Sequence, residues 1–540
     1  MPEKSLDQLL ARLDAPEVSG DAQAVVTSLT YDSRRVSGPG ALFAAFEGAH
    51  FDGHRFIGEA VQRGASVVLA SCGRAVEVPE GITLVRVPDT RRALGAVARE
   101  FYGDPSGQMT VTGVTGTKGK TTTTYIVAHI LESVGIPTGL IGTVGYRTGR
   151  SVRPAPNTTP EAADLQEIFY EMRQNGLNQA VMEVSSHAVA LGRTALIDFD
   201  VAVFTNIGHD HLDFHRTVDE YAEVKAGLFR GLGRFGSRPG KPWPKSAVIN
   251  ADDPYSMKMI KASRTAGARI VAFSAKPGSS RHDCDDLAAA DDIHMDRNGT
   301  SFILRHAASG VHIPVRSRLV GAFNIYNVLA ALAASYELGV SVEQGAEALA
   351  SFAGVPGRFQ LVDLGQEFTV IVDYAHSPDS LANVLATARE VTRGQVICVF
   401  GCGGDRDRTK RPLMGGIAAE MADYAIVTSD NPRSEDPASI AREVSAGMGA
   451  NNGRWAVILD RANAIREAIL YLPELDDEEC EDLLDTLNDS GLADQRPVAA
   501  LIGIAPDAGT FWDDLRIGEL KTLLSLAIGN EEATREGCDW

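Results

Sequence analysis

The stretch Gly113-Val-Thr-Gly-Thr-Lys-Gly-Lys-Thr-Thr-Thr-Thr124 constrains the fold of this chain more than any other segment. Met109–Val114, which precedes the glycines, is rich in β-branched residues and predicts a strand, and Tyr125–Val134 predicts a helix. A strand, a glycine-rich turn and a helix N-terminus together form an anion site, because converging backbone N–H groups and the helix dipole both favour phosphate. The segment therefore predicts a phosphate-binding loop in an α/β fold.

The glycine spacing departs from the strict Gly-x4-Gly-Lys-Ser/Thr pattern, since Val114 stands where the first glycine belongs. A glycine- and threonine-rich turn with an exposed lysine is the alternative interpretation, but a nucleotide site is favoured. In such a site Lys120 reaches the β/γ-phosphates, and the hydroxyl of Thr121 or Thr122 holds Mg²⁺. The remaining residues expected to bind the nucleotide are Gly116, Thr117, Lys118 and Gly119.

The length of 540 residues predicts about three domains, which we place at 1–105, 106–355 and 356–540. The net charge of −20 argues against nucleic acid as a partner. No apolar run is long enough for membrane insertion, the N-terminus lacks the apolar segment of a signal peptide, and six cysteines show no metal-ligand spacing. These features predict a cytoplasmic protein with reduced thiols.

The first domain is predicted to be a small α/β unit. Its strand Leu29–Ser33 runs into Asp32-Ser33-Arg34, a polar cluster that is either a cap and turn or a ligand site. On local grounds both interpretations stay open.

Two polar clusters follow strands of the central domain. Glu183 ends the predicted strand 178–184, and Asp210-His211-Leu-Asp-Phe-His215 follows the strand 200–205. The alternating pattern predicts a mostly parallel sheet, so both clusters lie at the edge that carries the phosphate loop, where a carboxylate and an imidazole can bind Mg²⁺. A lone histidine is more often structural, but the repeated Asp and His favour function. Read alone, Lys225 is expected to be a solvated surface lysine.

The last domain alternates strands and helices again and predicts a Rossmann-like open sheet. Its strand ends carry Asp373-Tyr-Ala-His376, Gly401-Cys-Gly-Gly-Asp-Arg406-Asp407 and Asp430-Asn-Pro-Arg433. Charged and glycine-rich loops at one sheet edge are typical of a substrate site. The acidic stretch 474–494 contains no Lys or Arg and predicts a solvated insertion.

In their order and spacing these motifs resemble those of the Mur ligases, and within that family those of the tripeptide synthetases of peptidoglycan synthesis. The resemblance covers almost the whole chain and accounts for the irregular glycine spacing, which these ligases share. The motifs that carry it are Asp32-Ser33-Arg34, Pro39-Gly40, Gly116-Thr-Lys-Gly-Lys-Thr121, Asn157-Thr-Thr-Pro160, Glu183-Val-Ser-Ser-His187, Asp210-His-Leu-Asp-Phe-His215, Gly357-Arg-Phe359 and Asp373-Tyr-Ala-His376.

The resemblance implies a role for each matching residue. Lys120 and His211 neutralise charge at the ATP phosphates, and Lys225 carries a carbamate formed with CO₂. The implied Mg²⁺ ligands are Thr121, Glu183, His211 and the modified Lys225. Asn327, Arg358, Asp373 and His376 are implied to surround the nucleotide base and ribose. The first domain is implied to hold the UDP moiety, with Ser33 in the uridine site. The muramoyl-peptide is assigned Asn157, Thr158, Thr159, Ser185 and Arg193, and the incoming amino acid Arg406, Asp430, Asn431 and Arg433.

The resemblance also implies an activity, the ATP-dependent addition of a third amino acid to UDP-N-acetylmuramoyl-L-alanyl-D-glutamate through an acyl phosphate. The amino acid implied by the Asp-Asn-Pro-Arg loop is meso-diaminopimelate, because Arg433 can hold its distal carboxylate bidentately. A monomer is expected, with the nucleotide dipeptide and a free amino acid as partners.

The chain departs from the family after its last predicted strand. Mur ligases usually carry Gly-Lys-Gly-His-Glu there, whereas this chain has Ala505-Pro-Asp507-Ala-Gly-Thr510, in which Asp507 is a partial substitute. The added amino acid therefore stays open, as does a paralogue with another acceptor.

Three further alternatives are weaker. A folylpolyglutamate or cyanophycin synthetase would lack the Asp-Ser-Arg domain. A non-catalytic scaffold would not need the intact set of Lys120, Glu183, His211 and Lys225. A plain P-loop switch leaves the third domain unexplained.

Overall fold

The computed structural model describes residues 2–13, 15–48, 52–208, 210–211, 214–276, 278, 283–296, 299–362, 368–392, 394–449, 454–470 and 498–502. The chain divides into two compact units. The first comprises Met1–Asp291, Leu304–Ile313 and Tyr326–Ala348, and the second Asp292–Ile303, Pro314–Ile325 and Leu349–Trp540. None of the helices in the described part of the chain combines the length and apolar character needed to span a bilayer.

A five-stranded sheet opens the first unit, in the order β2-β7-β6-β5-β4. Its pairs are parallel except for β2 with β7. The elements are β1 (Lys4–Ser5), α1 (Leu6–Leu10), β2 (Glu17–Ser19), β3 (Val25–Val26), β4 (Ser28–Thr30), β5 (Ala41–Ala44), α2 (Ile57–Gln62), β6 (Ala65–Ser71), β7 (Thr83–Val87) and α3 (Thr90–Phe101), with 3₁₀ helices at Ser33–Arg35, Gly53–Phe56 and Pro105–Gln108.

The next sheet has eleven strands, in the order β11-β10-β9-β12-β8-β13-β14-β15-β16-β17-β18. Its strands are β8 (Thr110–Thr115), β9 (Thr138–Ile141), β10 (Tyr146–Arg147), β11 (Val152–Arg153), β12 (Gln179–Glu183), β13 (Val201–Phe204), β14 (Ser246–Asn250), β15 (Arg269–Ser274), β16 (Asp286–Asp296), β17 (Gly299–His306) and β18 (Val311–Ser317). The accompanying helices are α4 (Lys120–Ser133), α5 (Ala162–Gln174), α6 (Ser186–Ala190), α7 (Val218–Arg230), α8 (Ser256–Thr265), α9 (Ala322–Glu337) and α10 (Val342–Ala350).

Strand β8 lies in the interior of this sheet, and its position places the phosphate loop. It pairs in parallel with β12 on one side and β13 on the other, with Val114 opposite both Glu183 and Val203. All three residues are buried, as expected for a parallel sheet covered on both faces. Because the chain leaves β8, β12 and β13 at the same edge, the three segments that follow these strands come together there.

The second unit contains a six-stranded sheet in the order β19-β20-β24-β21-β22-β23. Its pairs are parallel except for β19 with β20. The elements are β19 (Gln360–Val362), β20 (Thr369–Asp373), α11 (Pro378–Val391), β21 (Val396–Phe400), α12 (Lys410–Met421), β22 (Tyr424–Val427), α13 (Pro437–Ser445), β23 (Trp455–Val457), α14 (Arg461–Leu470) and β24 (Val498–Ile502).

The predicted α/β fold class is confirmed. A five-stranded sheet comes first in the chain, the eleven-stranded sheet follows, and the six-stranded sheet comes last. Two local predictions are wrong. The helix after the phosphate loop begins at Lys120 rather than Tyr125, and Ser33 belongs to a 3₁₀ helix rather than to the end of a strand. In both places polar side chains bond the backbone, which hydrophobic periodicity does not detect. The domain boundaries at 105/106 and 355/356 stay predictions.

Candidate active site at the phosphate loop

The glycines of the phosphate loop are required by its backbone and by its neighbours. Gly116 and Gly119 adopt φ angles of +155° and +83°. A Cβ atom on Gly116 would lie 1.9 Å from Thr205 Oγ1, and one on Gly119 would lie 2.3 Å from Asn327 Oδ1. Val114, where the strict pattern has its first glycine, is buried inside β8, so the glycine requirement starts two residues later.

The segment after β13 holds the loop in place. Thr117 N donates to Asn206 O and Lys118 N donates to Asn206 Oδ1, both at 2.9 Å. Thr205 Oγ1 donates to Lys118 O at 2.6 Å, and Gly208 N donates to Thr117 Oγ1 at 2.9 Å. Sequence reasoning missed Asn206, although its place just after a buried strand was a usable signal.

Lys120 is the first residue of α4, with Gly119 as the preceding cap. Its Nζ donates to the carbonyls of Gly116 and Thr117, each at 2.9 Å, so the side chain folds back over the loop. Thr121 and Thr122 follow in the first helical turn and are buried. The ammonium group, the loop amides and the helix N-terminus thus lie together, as an anion site requires.

Lys225 is buried, with a residue exposure of 1%, so the expectation of a solvated surface lysine is wrong. Its Nζ donates to Gly116 O at 2.9 Å and lies 4.5 Å from the centre of the Tyr221 ring, one helical turn earlier. Burial lowers the pKa of Lys225 well below its ordinary value; Lys120 lowers it further, and Asp210 opposes the shift. Burial at this position therefore disfavours the charged ammonium relative to an exposed lysine.

Tyr221 connects the loop to the histidine cluster and was also missed from sequence. Thr117 Oγ1 donates to its hydroxyl at 3.3 Å, and the ring centre of His211 lies 6.2 Å from its own. His211 has a φ of +54°, and its ring meets that of His187 edge-on at 5.0 Å. Tyr221 and Lys225 stand four residues apart on α7, the spacing that puts two side chains on one helix face.

Glu183 ends β12 with an exposure of 1%. Its Oε1 accepts from Thr143 N at 2.7 Å, and its Oε2 accepts from Thr143 Oγ1 at 3.3 Å. The Thr143 hydroxyl also lies 3.1 Å from that of Thr158. A Cβ atom on Gly142 would lie 2.4 Å from Glu183 Oε1, so this glycine leaves the carboxylate the space it occupies.

Three of the residues assigned to the muramoyl-peptide, Thr159, Ser185 and Arg193, are linked by hydrogen bonds. Thr159 Oγ1 donates to Glu183 O at 2.9 Å and accepts from Ser185 N at 3.0 Å. Arg193 Nη1 donates to Thr159 O at 3.0 Å, and Arg193 Nη2 lies 2.8 Å from Glu161 Oε1. Asn157, which is exposed, accepts a hydrogen bond from Tyr146 at its backbone carbonyl.

Ser33 is buried, and its hydroxyl donates to Glu59 Oε2 at 2.9 Å. Asp32 caps the 3₁₀ helix by accepting from Arg34 N at 3.0 Å and also pairs with the Arg34 guanidinium at 2.8 Å. The cap-and-turn interpretation of Asp32-Ser33-Arg34 therefore has direct support.

A cavity of about 750 Å³ lies in the first unit, and Gly192, the neighbour of Arg193, is part of its lining. Its lining includes Arg91, Arg92 and Arg234, together with the acidic Glu47 and Asp89. Arg91 Nη1 lies 2.5 Å from Glu161 Oε1, the oxygen that also holds Arg193. Guanidinium groups around a cavity favour an anionic ligand.

Among the described residues, three acidic or histidine groups close enough to share a metal ion occur at Glu47, Asp52 and His54 rather than around Glu183 and His211. His54 Nδ1 lies 2.7 Å from Asp52 Oδ1. Arg74 forms ion pairs with both Glu47 and Asp52, so a cation of the protein already balances their charge.

In the second unit, Arg358, Asp373 and His376 gather around one turn. The Arg358 guanidinium lies 4.7 Å from the centre of the Tyr374 ring, and Asp373 Oδ2 accepts from Phe359 N at 2.8 Å. His376 Nδ1 lies 2.9 Å from Tyr374 O. Asn327 belongs to the first unit, where it contacts the phosphate loop.

The residues assigned to the amino acid lie on two touching loops of the second unit. Gly404 N donates to Asn431 O at 2.8 Å, and Arg433 Nη1 donates to Gly404 O at 2.5 Å. Asp430 pairs with Arg461 at 2.9 Å; burial raises the pKa of Asp430, and Arg461 opposes that shift. Arg406 is exposed on the neighbouring loop.

Three family profiles match successive parts of the chain. "Mur ligase family, catalytic domain" matches residues 25–102, "Mur ligase middle domain" 114–335 and "Mur ligase, glutamate ligase domain" 357–477. The UDP-N-acetylmuramoyl-L-alanyl-D-glutamate–2,6-diaminopimelate ligase of Geobacillus thermodenitrificans is 46% identical over 86% of this chain and 91% of the relative.

The chain is also similar to solved structures of Mur ligases. A UDP-N-acetylmuramoyl-L-alanyl-D-glutamate–2,6-diaminopimelate ligase matches with a TM-score of 0.64 and 29% identity, over 97% of this chain and 99% of the other. The MurF ligase of Thermotoga maritima, in complex with ADP, matches with a TM-score of 0.59 and 21% identity, over 93% and 99% of the two chains. At that identity the second match concerns the fold alone.

The end of the chain matches a different family. A profile of the "YcaO cyclodehydratase C-terminal domain" matches residues 462–540. Asp507 and the acidic stretch 474–494 belong to this range, and both lie outside the described residues.

Proposed function

This chain belongs to the Mur ligase family, and from that premise we propose that it is an ATP-dependent ligase that joins 2,6-diaminopimelate to UDP-N-acetylmuramoyl-L-alanyl-D-glutamate. The observation that carries the proposal is the phosphate loop itself, with Lys120 and the buried Lys225 both bonded to Gly116 O at 2.9 Å. The names of the two similar diaminopimelate ligases reported above state that they act on this nucleotide dipeptide and on diaminopimelate.

The loop supports ATP as the phosphoryl donor. Lys120 would exchange its two carbonyl partners for phosphate oxygens, which are stronger partners because they are charged. The residues proposed to bind the phosphates are Gly116, Thr117, Lys118, Gly119, Lys120, Thr121 and Thr122. For the base and ribose we propose Asn327, Arg358, Asp373 and His376.

We propose that Mg²⁺ binds at the loop edge because of the chemistry of the donors there. Thr121, Glu183 and His211 offer a hydroxyl, a carboxylate and an imidazole, and the carboxylate is buried next to the strand from which the loop emerges. The ion would neutralise phosphate charge. Glu183 is positioned by Thr143, whose amide and hydroxyl each bond one carboxylate oxygen.

We propose that Lys225 carries a carbamate. Burial lowers the pKa of its amine, which makes the neutral form that attacks CO₂ easier to reach than in an exposed lysine. The nitrogen forms a bond to carbon and loses a proton, which converts a cation into an anion. An anion at this point would attract Mg²⁺ and Lys120, whereas the unmodified ammonium would repel both.

The substrate carboxylate and amine react in two steps. The terminal carboxylate of the dipeptide attacks the γ-phosphorus of ATP, which gives an acyl phosphate and ADP. The amino group then attacks the acyl carbon, a proton is lost, and phosphate leaves. Lys120 and His211 stabilise the charge on the transferred phosphoryl group, and no covalent enzyme intermediate is needed.

Acceptor binding is assigned to the first unit. Ser33 is proposed for the uridine of the UDP moiety, and Asn157, Thr158, Thr159, Ser185 and Arg193 for the muramoyl-peptide. The arginine-lined cavity beside Arg193 suits the diphosphate of a nucleotide sugar. Arg406, Asp430, Asn431 and Arg433 are proposed for the incoming amino acid. A cytoplasmic location and a monomeric state stay predictions.

The test measures phosphate release from ATP with the nucleotide dipeptide and a panel of amino acids. We expect release that depends on diaminopimelate, and a loss of about a thousandfold in Lys120→Ala with an unchanged melting temperature. Lys261→Ala, which changes an exposed lysine of α8, serves as the matched control. Release in Lys120→Ala above about a tenth of the wild-type rate would contradict the assignment.

A second candidate is a paralogous ligase that adds another amino acid. It is favoured by the departure from the family after the last strand, which falls within the range 462–540 that matches a different profile. The same panel separates the two candidates, because a paralogue would release phosphate with another amino acid and not with diaminopimelate.

A further inference from the structure

Among the described residues of the second unit, the most completely buried arginine side chain lies beside the proposed amino-acid loops. Arg411, on α12, has an exposure of 0%. We propose that Arg411, acting through Glu435, is a positioning residue that locks the loop 401–407 against the loop 430–435 and so sets the affinity for the incoming amino acid. This inference rests on the proposed function, because Arg406 and Arg433 stand on those two loops.

Arg411 contacts three separate segments. Its Nη2 donates to Glu435 Oε1 at 2.7 Å and its Nη1 to Glu435 Oε2 at 3.0 Å, which makes a bidentate pair. Nη1 also donates to Glu443 Oε2 on α13 at 2.7 Å, and Nη2 to the Gly403 carbonyl at 3.3 Å. One guanidinium therefore bonds the first loop, the end of the second loop and the helix that follows it.

Glu435 passes this constraint to the substrate side. Its Oε1 also accepts from Asp405 N at 2.6 Å, and the hydrogen bonds from Arg411 lower the pKa of Glu435 to about 2. Asp405 in turn accepts from Ser434 Oγ at 2.8 Å and from Ser434 N at 3.1 Å. The chain of bonds runs from Arg411 through Glu435 and Asp405 to Ser434, the neighbour of Arg433.

The two loops also approach each other closely at Gly404. A Cβ atom on Gly404 would lie 1.9 Å from Pro432 O. Asp405 and Arg433 have φ angles of +51° and +48°, a left-handed conformation that a residue with a side chain adopts at a cost. Such conformations persist where surrounding contacts fix them, and Arg411 bonds Gly403 and Glu435, which lie two residues from Asp405 and Arg433 respectively.

Arg408 provides a matched control. It pairs with the same two acids, Glu443 directly and Glu435 at 4.0 Å, but its side chain is 62% exposed. An exposed pair of this kind contributes little because water and salt screen it. Arg408→Met thus removes the same charge as Arg411→Met without removing the buried bridge.

The test compares wild type, Arg411→Lys, Arg411→Met, Glu435→Gln and Arg408→Met in steady-state ligation. We expect the KM for diaminopimelate to rise about tenfold or more in Arg411→Met, less in Arg411→Lys, and to stay within about twofold in Arg408→Met. The KM values for ATP and for the nucleotide dipeptide should not change in any of them. Glu435→Gln, which keeps the shape of the side chain, should reproduce the effect if Arg411→Met does not fold.

Amide hydrogen exchange gives a readout that is independent of activity. The amides of Gly404, Asp405 and Ser434 should exchange faster in Arg411→Met or Glu435→Gln than in wild type and in Arg408→Met. Unchanged exchange, or an equal rise of all three KM values, would overturn the proposal. If wild type joins no amino acid, the proposed function fails, and the exchange rates alone decide whether Arg411 fixes the loops.

Discussion

Lys120 and Lys225 donate to the same carbonyl oxygen, that of Gly116. Two ammonium groups that share an acceptor repel each other, and the buried one loses its proton more easily. Lys225 is therefore the residue whose chemistry the fold changes most, although its surroundings in the sequence are those of an ordinary helix surface. What identifies it is its position four residues after Tyr221, which puts both on the face of α7 that packs inward.

Lys225→Ala should lose nearly all ligase activity, because the proposed carbamate disappears with the amine. A short carboxylic acid added to the buffer should restore part of the activity by supplying the missing anion. The control variant Lys261→Ala should keep its activity, and the acid should not alter it. Phosphate release measured with and without the acid checks this. Wild-type rates in Lys225→Ala would show that the amine has only a packing role. In that case we expect the free energy of unfolding to fall by the amount typical of a truncated core side chain.

Arg433→Ala should lose most of the discrimination between diaminopimelate and lysine, since the proposed bidentate partner of the distal carboxylate is removed. A charge-assisted pair of this kind is worth about 1.5–3 kcal/mol, or roughly a tenfold to hundredfold change in relative kcat/KM. Competition between the two amino acids gives the ratio directly. A wild-type enzyme that already prefers lysine would contradict the assignment of Arg433.

At the scale of elements, the turn from β8 into α4 depends on the left-handed conformation of Gly119. Gly135, at the other end of α4, has nearly the same φ, +81° against +83°, but a Cβ atom there would meet nothing within 4 Å. The two glycines thus separate the cost of backbone strain from the cost of a clash with Asn327.

Gly119→Ala should raise the KM for ATP sharply and lower the free energy of unfolding, whereas Gly135→Ala should show only the second effect. Each substitution is expected to cost about 1–2 kcal/mol from the positive φ, and Gly119→Ala more because Asn327 must move. Thermal unfolding with and without ATP checks both parts. Equal KM values for ATP in the two variants would argue against close contact between the loop and the nucleotide.

Elements with strong hydrophobic patterns were predictable, and the polar ones were not. The buried runs that form β8, β12 and β13 mark strands of a parallel sheet, and from them the edge that holds Glu183 and His211 follows. The start of α4 was missed because four threonines fill its first turn, where Thr124 Oγ1 bonds Thr121 O at 2.8 Å. Asn206, Thr143 and Arg411 act through contacts between distant segments, which a single sequence does not reveal.

At the scale of the whole first unit, Asp104 joins segments far apart in the chain. It pairs with Arg99 at 2.8 Å and with Arg238 at 2.6 Å. Burial alone would raise the pKa of Asp104, but the hydrogen bonds from the two arginines outweigh it and hold the pKa below the ordinary 3.8. Its contribution to stability is therefore present above pH 3.8 and is lost as the pH falls through the lowered folded-state value.

Asp104→Asn should lower the free energy of unfolding at pH 7 by about 1 kcal/mol, a figure reduced for partial exposure. The left-handed φ of +54° is one that asparagine also tolerates, so the change isolates the charge. Denaturant unfolding at several pH values checks the sign, because the difference from wild type should shrink below pH 3.8. A constant difference across that range would assign the loss to geometry instead.

The order of strands in the second unit has a consequence for how the chain is made. β24, at Val498–Ile502, pairs in parallel with both β20 and β21 and so lies between them. During synthesis β20 is complete 125 residues before β24 begins, since 498 − 373 = 125, and β21 is complete 98 residues before it, since 498 − 400 = 98. Until then one edge of β20 and one edge of β21 lack their partner strand, and unpaired strand edges tend to pair with other chains. We expect the first unit to fold early and the second to need protection by chaperones until β24 has been synthesised.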